Sequence, residues 1–200
     1  MPRHCALLRA INVGGHTVRM AELRRLFEEL GFDNVETFIA SGNVIFDSRV
    51  TNAVKLAQQI ERHLRSVLGY EVATFLRTLP ELELVIRHRP FPAAELAADG
   101  ASLYVMFLAS PLGRTRRPQV EALATPQDAF QVRGREIYWL ARNKLTGTLV
   151  DGAELAKAIG SPMTMRNMTT VRRIAEHYGG ASATGSRPAR RSRAPRYSGS

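Results

Sequence analysis

The chain has 200 residues and a net charge of +10. This length suits one larger domain or two small ones with a real hydrophobic core. No segment approaches the roughly 20 apolar residues of a transmembrane helix, and the N-terminus lacks a signal-peptide pattern, so we expect a cytoplasmic protein without a membrane partner. The one cysteine, Cys5, excludes an intramolecular disulfide and a multi-cysteine metal site. Its place in an apolar strand favours an inert buried thiol.

The positive charge is concentrated at the end of the chain. Five of the 28 basic residues are arginines in segment 180–200, which has no acidic residue, so residues 1–179 have a net charge of only +5. Because the segment is rich in Gly, Ser, Ala and Pro, we predict that it is disordered. Its arginines favour non-specific affinity for polyanions, whereas the charge of the remainder is weak evidence for nucleic-acid binding.

The first half of the chain has the pattern of a ferredoxin-like unit. Helices are predicted at 20–30, from the apolar face of that segment, and after Asn52, which is a good N-cap. Thr78 and Glu81 form a capping box for an extra helix over 79–88. Apolar runs predict strands at 4–11, 34–40, 44–48 and 71–77. The resulting order, β-α-β-β-α-β, defines the ferredoxin-like fold.

The second half repeats this order. Helices are predicted from Pro118 to about residue 124, from the Asp151 cap to Gly160, and at 167–178. Strands are predicted at 102–109, 127–132, 136–141 and 162–166. We therefore predict an α+β fold of two ferredoxin-like units, each followed by an extra helix, with duplication inferred from element order alone. The predicted segments are the first unit 1–89, a connection 90–101, the second unit 102–179 and the tail 180–200.

Two polar loops are predicted to meet at one edge of the first sheet. In a ferredoxin-like sheet with strand order 4-1-3-2, the loop after strand 1 and the hairpin between strands 2 and 3 lie at the same edge. The loop 12–19 and the turn 41–43 are therefore expected to be neighbours. The same rule joins segments 110–115 and 133–135 in the second unit, where the edge is basic.

These loops suit a small anion that carries phosphate or carboxylate. Glycines can turn successive N–H groups into one concavity, amides offer donors and acceptors, and an arginine offers a planar fork. The alternative is ordinary turn chemistry, because the spacing matches neither a P-loop nor a Rossmann motif, and Asn12 could cap local backbone. The candidate ligand-binding residues are Arg9, Asn12, Gly14, Gly15, His16, Ser41, Gly42 and Asn43.

Other chemistry is sparse in the sequence. The five histidines have no metal-ligand spacing, and no catalytic dyad can be assembled, so we expect no metal and no cofactor and leave enzymatic activity open. The loop 142–148 contains Arg142 and Lys144, which could contact phosphate as a secondary site. A plain surface loop is the alternative.

Four strings in the sequence resemble a bacterial family, the domain of unknown function 1697. They are Ala6–Gly15, Met20–Leu23, Ser41–Val44 and Arg166-Asn167 before Thr170-Val171, within a similarity that spans roughly residues 3–178. The resemblance implies a two-unit α+β fold and supplies no activity, substrate or cofactor.

This chain departs from the family pattern at two places. Ala10 stands where glycine is usual, and Met168-Thr169 replaces Trp-Asn. Arg166 and Asn167 remain as further secondary site candidates, although Asn167 also suits a helix cap.

Three functions follow as hypotheses. The first is the small anionic ligand site. The alternative is a nucleic-acid-binding module that uses basic loops and the Arg-rich tail, because RNA-recognition domains share this scaffold. Against it, strand 44–48 supplies only Phe46 as an aromatic platform. The third is a protein-interaction role for edge strands, and the oligomeric state is left open.

Overall fold

The computed structural model of the chain describes residues 1–12, 17–39 and 42–179. These residues form two four-stranded antiparallel sheets with helices packed on them. The α+β class predicted from the sequence is confirmed, and both sheets have the ferredoxin-like strand order. The tail at 180–200 lies outside the described residues.

The first unit follows the predicted order of elements, and its sheet order is β2-β3-β1-β4. Asn52 caps the long helix by accepting a hydrogen bond from the Lys55 N–H at 3.0 Å. Thr78 and Glu81 form the predicted capping box of the extra helix. The elements are β1 (Arg3–Leu8), α1 (Met20–Glu28), β2 (Asp33–Thr37), β3 (Asn43–Asp47), α2 (Ala53–Leu68), β4 (Thr74–Thr78) and α3 (Leu79–Arg87).

The second unit repeats this arrangement with the sheet order β6-β7-β5-β8. Its elements are α4 (Ala93–Leu96) in the connection, β5 (Ser102–Leu108), α5 (Arg116–Glu121), β6 (Asp128–Arg133), β7 (Glu136–Ala141), α6 (Gly152–Ile159), β8 (Met163–Asn167) and α7 (Met168–Gly179). Helix α5 begins two residues before Pro118, which is tolerated because the missing N–H still falls in the first turn. It also ends earlier than predicted, at Glu121.

Three hydrophobic clusters hold the layers together. Helices α1 and α2 cover one face of the first sheet, and α5 and α6 cover one face of the second. The opposite faces of both sheets share a third cluster with α3 and α7, to which Leu7 and Phe75 contribute from the first unit and Phe107 and Tyr138 from the second. The face that each sheet would expose in a lone ferredoxin-like unit is therefore buried.

A buried arginine of the second unit fills the edge of the first sheet. Arg166 is the fourth residue of β8, and its Nη2 donates to the carbonyl oxygens of Leu8 at 2.9 Å and Gly42 at 3.3 Å. Its Nε donates to Oδ1 of Asn43 at 2.7 Å. These contacts join the end of β1 and the start of β3 to the second unit.

The first unit makes the same contacts in return. Arg77 is the fourth residue of β4, and its Nη2 donates to the carbonyl oxygens of Leu108 and Arg135, both at 3.0 Å. Its Nε donates to Glu136 at 2.7 Å. Leu108 and Glu136 occupy the same places at the end of β5 and the start of β7 that the Arg166 partners occupy in the first unit. We call this pair of buried arginines the reciprocal clasps.

Candidate functional site

The structure brings the loop after β1 beside the β2–β3 hairpin, as the strand order predicts. The Leu8 N–H donates to the Gly42 carbonyl at 2.8 Å, and a Cβ on Gly42 would lie 3.3 Å from Cβ of Ile11. In the second unit, the Leu112 N–H donates to the Gly134 carbonyl at 3.3 Å. Both predicted juxtapositions are therefore seen. Outside the described residues lie Gly14, Gly15, His16 and Ser41.

Asn43 and Arg166 lie inside the protein rather than at a surface site. Asn43 is fully buried, and its Nδ2 donates to the Phe38 carbonyl at 3.0 Å while its Oδ1 accepts from Arg166. Gly42 beside it is also buried and adopts a φ of +73°, which favours glycine. The structure gives these residues a role in joining the units.

The two remaining asparagine candidates hydrogen-bond to nearby backbone. Oδ1 of Asn12 accepts from the Val18 N–H at 2.6 Å, across the loop. Oδ1 of Asn167 accepts from the Thr169 N–H at 2.8 Å and so caps α7. Ala10 adopts a φ of +66°, a conformation that favours the glycine expected there from the family resemblance.

The basic loop after β7 is engaged elsewhere. Nη2 of Arg142 forms an ion pair with Glu95 at 2.6 Å, and Nη1 donates to the Pro126 carbonyl at 3.3 Å. Lys144 is exposed, and its N–H donates to the Gly100 carbonyl. Neither side chain lines the Arg9 groove described below.

The basic edge of the second unit is partly neutralised by α3. Arg135 pairs with Glu81, and Nη1 of Arg133 donates to Nδ1 of His88 at 2.7 Å. Burial by itself raises the pKa of Glu81, but hydrogen bonds from Thr78 and the charge of Arg135 hold that pKa below its usual value. This edge therefore offers less positive charge than its sequence indicates.

Arg9 lines an open groove of about 650 Å³ beside α2, which we call the Arg9 groove. Gln58, Arg62 and Arg65 lie on one face of α2, at the spacing i, i+4, i+7, and form one wall. Pro162 extends into the groove from the second unit. Further lining residues are Ala10, Glu61, Glu71, Val72 and Ala73.

The groove has an excess of uncompensated positive charge. Within residues 1–12, 17–39 and 42–179, the side chains of Arg9 and Arg62 make no hydrogen bond or ion pair, and both residues are exposed. Arg65 pairs with Glu71 at 3.1 Å, and both side chains are well exposed, so this pair is weak. Oε1 of Glu61 accepts from the Thr74 N–H at 2.8 Å and is thereby held against β4. The arrangement favours an anion.

The α2 wall of this groove escaped the sequence analysis. The Asn52 cap predicts the helix, but no function is assigned from the sequence to its polar face. Two signals were available, namely the i, i+4, i+7 spacing of Gln58, Arg62 and Arg65, and the position of α2 before β4, the strand that pairs with β1. Together they place this polar face next to the end of β1, where Arg9 lies.

Other reactive groups do not gather in the described part of the chain. Among those residues, no three His, Cys, Asp or Glu side chains are arranged to hold a metal ion. Burial raises the pKa of Cys5 to about 12, which leaves its thiol protonated and unreactive. None of the described helices combines the length and apolar character needed to cross a membrane.

Comparisons with known proteins match the chain to a family of unknown function and to a solved bacterial structure. The family model described as "Protein of unknown function (DUF1697)" matches residues 1–138, which cover the first unit and extend into β7. The solved structure of conserved bacterial protein SP0830 from Streptococcus pneumoniae is similar, with 25% identity and a TM-score of 0.67, and the match covers 90% of this chain and 99% of that chain. No curated protein matches the chain.

Proposed function

The chain belongs to the DUF1697 family of proteins of unknown function, and we propose that it binds a small anionic ligand, bearing phosphate or carboxylate, in the Arg9 groove. One observation carries this proposal: three arginines line a single cavity, and two of them have no acidic partner among the described residues. Guanidinium groups form paired hydrogen bonds with planar or tetrahedral oxyanions, which suits this ligand class.

The predicted loop after β1 is part of this site, and its residues and those of the β2–β3 turn have different roles. Arg9 supplies charge at the groove, and Gly42 and Asn43 support the loop from inside the protein. The residues Gly14, Gly15, His16 and Ser41 lie outside the described residues and stay predicted ligand contacts.

Nucleic-acid binding is the alternative, and the Arg-rich sequence of residues 180–200 favours it. The folded part offers it less support. RNA-recognition domains stack bases on the open face of the sheet, and here that face is buried between the units, as Ile45 and Phe75 show. A cytoplasmic location remains a prediction.

We also propose that the two units arose by internal duplication. Their shared element order and strand order support this, and the reciprocal clasps add a residue-level likeness. Arg77 and Arg166 stand at the same position of the last strand and contact equivalent backbone positions in the opposite unit.

Calorimetric titration tests the ligand proposal. Wild-type protein is titrated with inorganic phosphate, phosphate monoesters and small carboxylates, beside the variants Arg9→Ala and Arg49→Ala. Arg49 is the matched control, because it is exposed and follows β3 at the opposite end of the sheet from Arg9. Loss of a charge-assisted hydrogen bond of about 1.5–3 kcal/mol should weaken binding by about 10- to 100-fold in Arg9→Ala alone.

Two results would overturn the ligand proposal. One is that no ligand of this set binds the wild type, and the other is that Arg9→Ala binds the ligand as tightly as Arg49→Ala. RNA and DNA are titrated in parallel with the full chain and with a chain that ends at residue 179. Nucleic-acid binding that survives the truncation but is lost in Arg9→Ala would favour the alternative.

A further inference from the structure

A second, smaller cavity lies beside the Arg9 groove, between the two units. It has a volume of about 320 Å³ and is bounded by the start of β4, the loop 109–113 after β5 and the turn 159–162 before β8. It shares Glu61, Ala73 and Pro162 with the Arg9 groove. The two cavities are therefore adjacent, and we call them together the inter-unit cleft.

The inner end of this cleft differs chemically from the Arg9 end. Phe75, Leu112 and Ile159 contribute apolar surface to its lining, and Ser110 and Ser161 contribute hydroxyl groups. This composition suits a neutral body with a ring and a few polar groups.

The charged groups at the inner end are already engaged. Nη1 of Arg116 donates to the carbonyl oxygens of Lys157 at 3.0 Å and Ala158 at 3.2 Å, so this arginine caps the end of α6. Glu61 is held by the Thr74 N–H. A second anionic group on the ligand would find its cations at the Arg9 end instead.

The net charge of the whole cleft favours phosphate over carboxylate. A phosphate monoester carries a charge of about −1.5 to −2 at neutral pH. The cleft is lined by four arginines and two glutamates, Arg9, Arg62, Arg65, Arg116, Glu61 and Glu71, which give a net charge of +2. Arg116 is held by carbonyl oxygens and Arg65 by Glu71, so Arg9 and Arg62 are the lining arginines whose side chains make no hydrogen bond among the described residues. A net charge of +2 matches one dianion, whereas a single carboxylate would leave one positive charge unbalanced.

The size of the cleft argues against a bare inorganic anion. The inner cavity alone has a volume of about 320 Å³, at the lower end of the roughly 300–1,000 Å³ of small-molecule sites. Such sites are often found between domains. Inorganic phosphate would occupy the arginine end and leave the inner cavity to solvent. A larger ligand would displace that solvent from apolar surface.

We propose that the ligand is an organic phosphate with a neutral body of about nucleoside size, whose phosphate binds Arg9 and Arg62 and whose ring-bearing body fills the inner end of the inter-unit cleft. This inference rests on the proposed function of the Arg9 groove. It adds the substrate class and assigns the second unit a direct part in binding.

The test compares ligands that share the phosphate and differ in the body. Full-length protein is titrated by calorimetry with inorganic phosphate, ribose 5-phosphate and the four ribonucleoside 5′-monophosphates. We expect at least one nucleotide to bind 10-fold or more tightly than inorganic phosphate, with ribose 5-phosphate between them.

A substitution that fills the inner cavity separates the two ends. Gly113 lines that cavity, and a Cβ built on it has no atom within 4 Å, so a side chain can start there without a clash. We expect the ring of Gly113→Phe to occupy the space for the body. It should reduce nucleotide affinity to that of inorganic phosphate and leave phosphate binding unchanged. Gly152→Phe is the matched control, because Gly152 has the same open surroundings at the start of α6 and lines none of the cleft.

The outcomes distinguish this inference from the function on which it rests. If all organic phosphates bind no more tightly than inorganic phosphate, the inference is overturned while the Arg9 site stands. If ribose 5-phosphate binds as tightly as every nucleotide, the nucleoside-sized body is overturned. If no phosphate binds, the proposed function fails as well. Should Gly113→Phe lower the melting temperature, Ser161→Phe on the opposite wall replaces it.

Discussion

Replacing Arg166 with methionine should lower the free energy of unfolding by about 2–3 kcal/mol. The variant keeps an apolar stem but removes the donors to the carbonyls of Leu8 and Gly42 and to Asn43. It also removes the donor to the Thr164 hydroxyl and to the Met165 carbonyl, both at 2.8 Å. A buried acceptor that loses its donor costs about 1–3 kcal/mol. The lower value applies here, because the Leu8 carbonyl also accepts from Thr164 at 3.4 Å and the Gly42 carbonyl from the Leu8 N–H.

A part of this loss is offset by the removal of a buried charge. Burial lowers the pKa of Arg166 to about 10, which shows that the charged form is partly desolvated in the folded protein. Five acceptors at about 1 kcal/mol each, less about 2–3 kcal/mol for the desolvation of the guanidinium, give the expected 2–3 kcal/mol. Arg166→Lys keeps the charge without the planar fork, so its loss should be smaller.

Urea unfolding followed by two probes measures this effect. Far-ultraviolet circular dichroism reports on both units, whereas the fluorescence of Trp139, the one tryptophan, reports on the second unit. Both probes should shift together in Arg166→Met, because the clasp joins the units. Arg172→Met is the control, since Arg172 is exposed on α7, and it should change stability by less than about 0.5 kcal/mol.

Two results would refute this reasoning. A loss below about 1 kcal/mol in Arg166→Met would mean that the five acceptors of Arg166 find other donors at little cost. A shift in circular dichroism without a shift in Trp139 fluorescence would mean that the second unit unfolds independently of the clasp.

Three further outcomes follow. Arg77→Met should lower the free energy of unfolding in urea by more, about 3–4 kcal/mol, because it leaves the half-buried Glu136 carboxylate without its partner. A decrease no larger than that of Arg166→Met would contradict this. A thiol reagent should modify Cys5 only after denaturation, because burial raises its pKa to about 12; rapid labelling of native protein would show otherwise. Burial by itself raises the pKa of Asp128, but hydrogen bonds, including one from Trp139 at 2.8 Å, outweigh it and hold that pKa below its usual value. Stability from Asp128 is therefore full above its unfolded pKa of about 3.9 and is lost as the pH falls below that value. Asp128→Asn should lower the free energy of unfolding at pH 6, and this difference from wild type should shrink as the pH is lowered to 2. A difference that stays constant over this pH range would contradict the lowered pKa of Asp128.

Local signals in the sequence predicted the elements and the two edges well. Helix starts are predicted from Asn52, Thr78 and Glu81, because these side chains accept hydrogen bonds from backbone N–H groups only a few residues away. The meeting of the β1 loop with Gly42 follows from strand order, which itself follows from element order. Such inferences need no knowledge of how the units pack.

The roles of Asn43 and Arg166 could not be predicted in this way. They are 123 residues apart and belong to different units, so only tertiary packing brings Nε of Arg166 within 2.7 Å of Asn43. A polar residue at a strand end is expected at the surface, and arginine is rarely buried unless it forms an ion pair or hydrogen bonds. The sequence indicated Asn43 and Arg166 as site candidates, but it did not distinguish a ligand contact from a contact between the units.

The reciprocal clasps also explain why the cleft, rather than the glycine loop alone, is the better candidate site. Arg166 occupies the edge of the first sheet and Arg77 the edge of the second, and each arginine comes from the opposite unit. What stays open to solvent is the space beside those edges, between Arg9 of the first unit and Pro162 of the second. A ligand there touches both units, so its binding energy opposes their separation. Any ligand of this cleft should therefore stabilise the whole folded chain rather than the first unit alone.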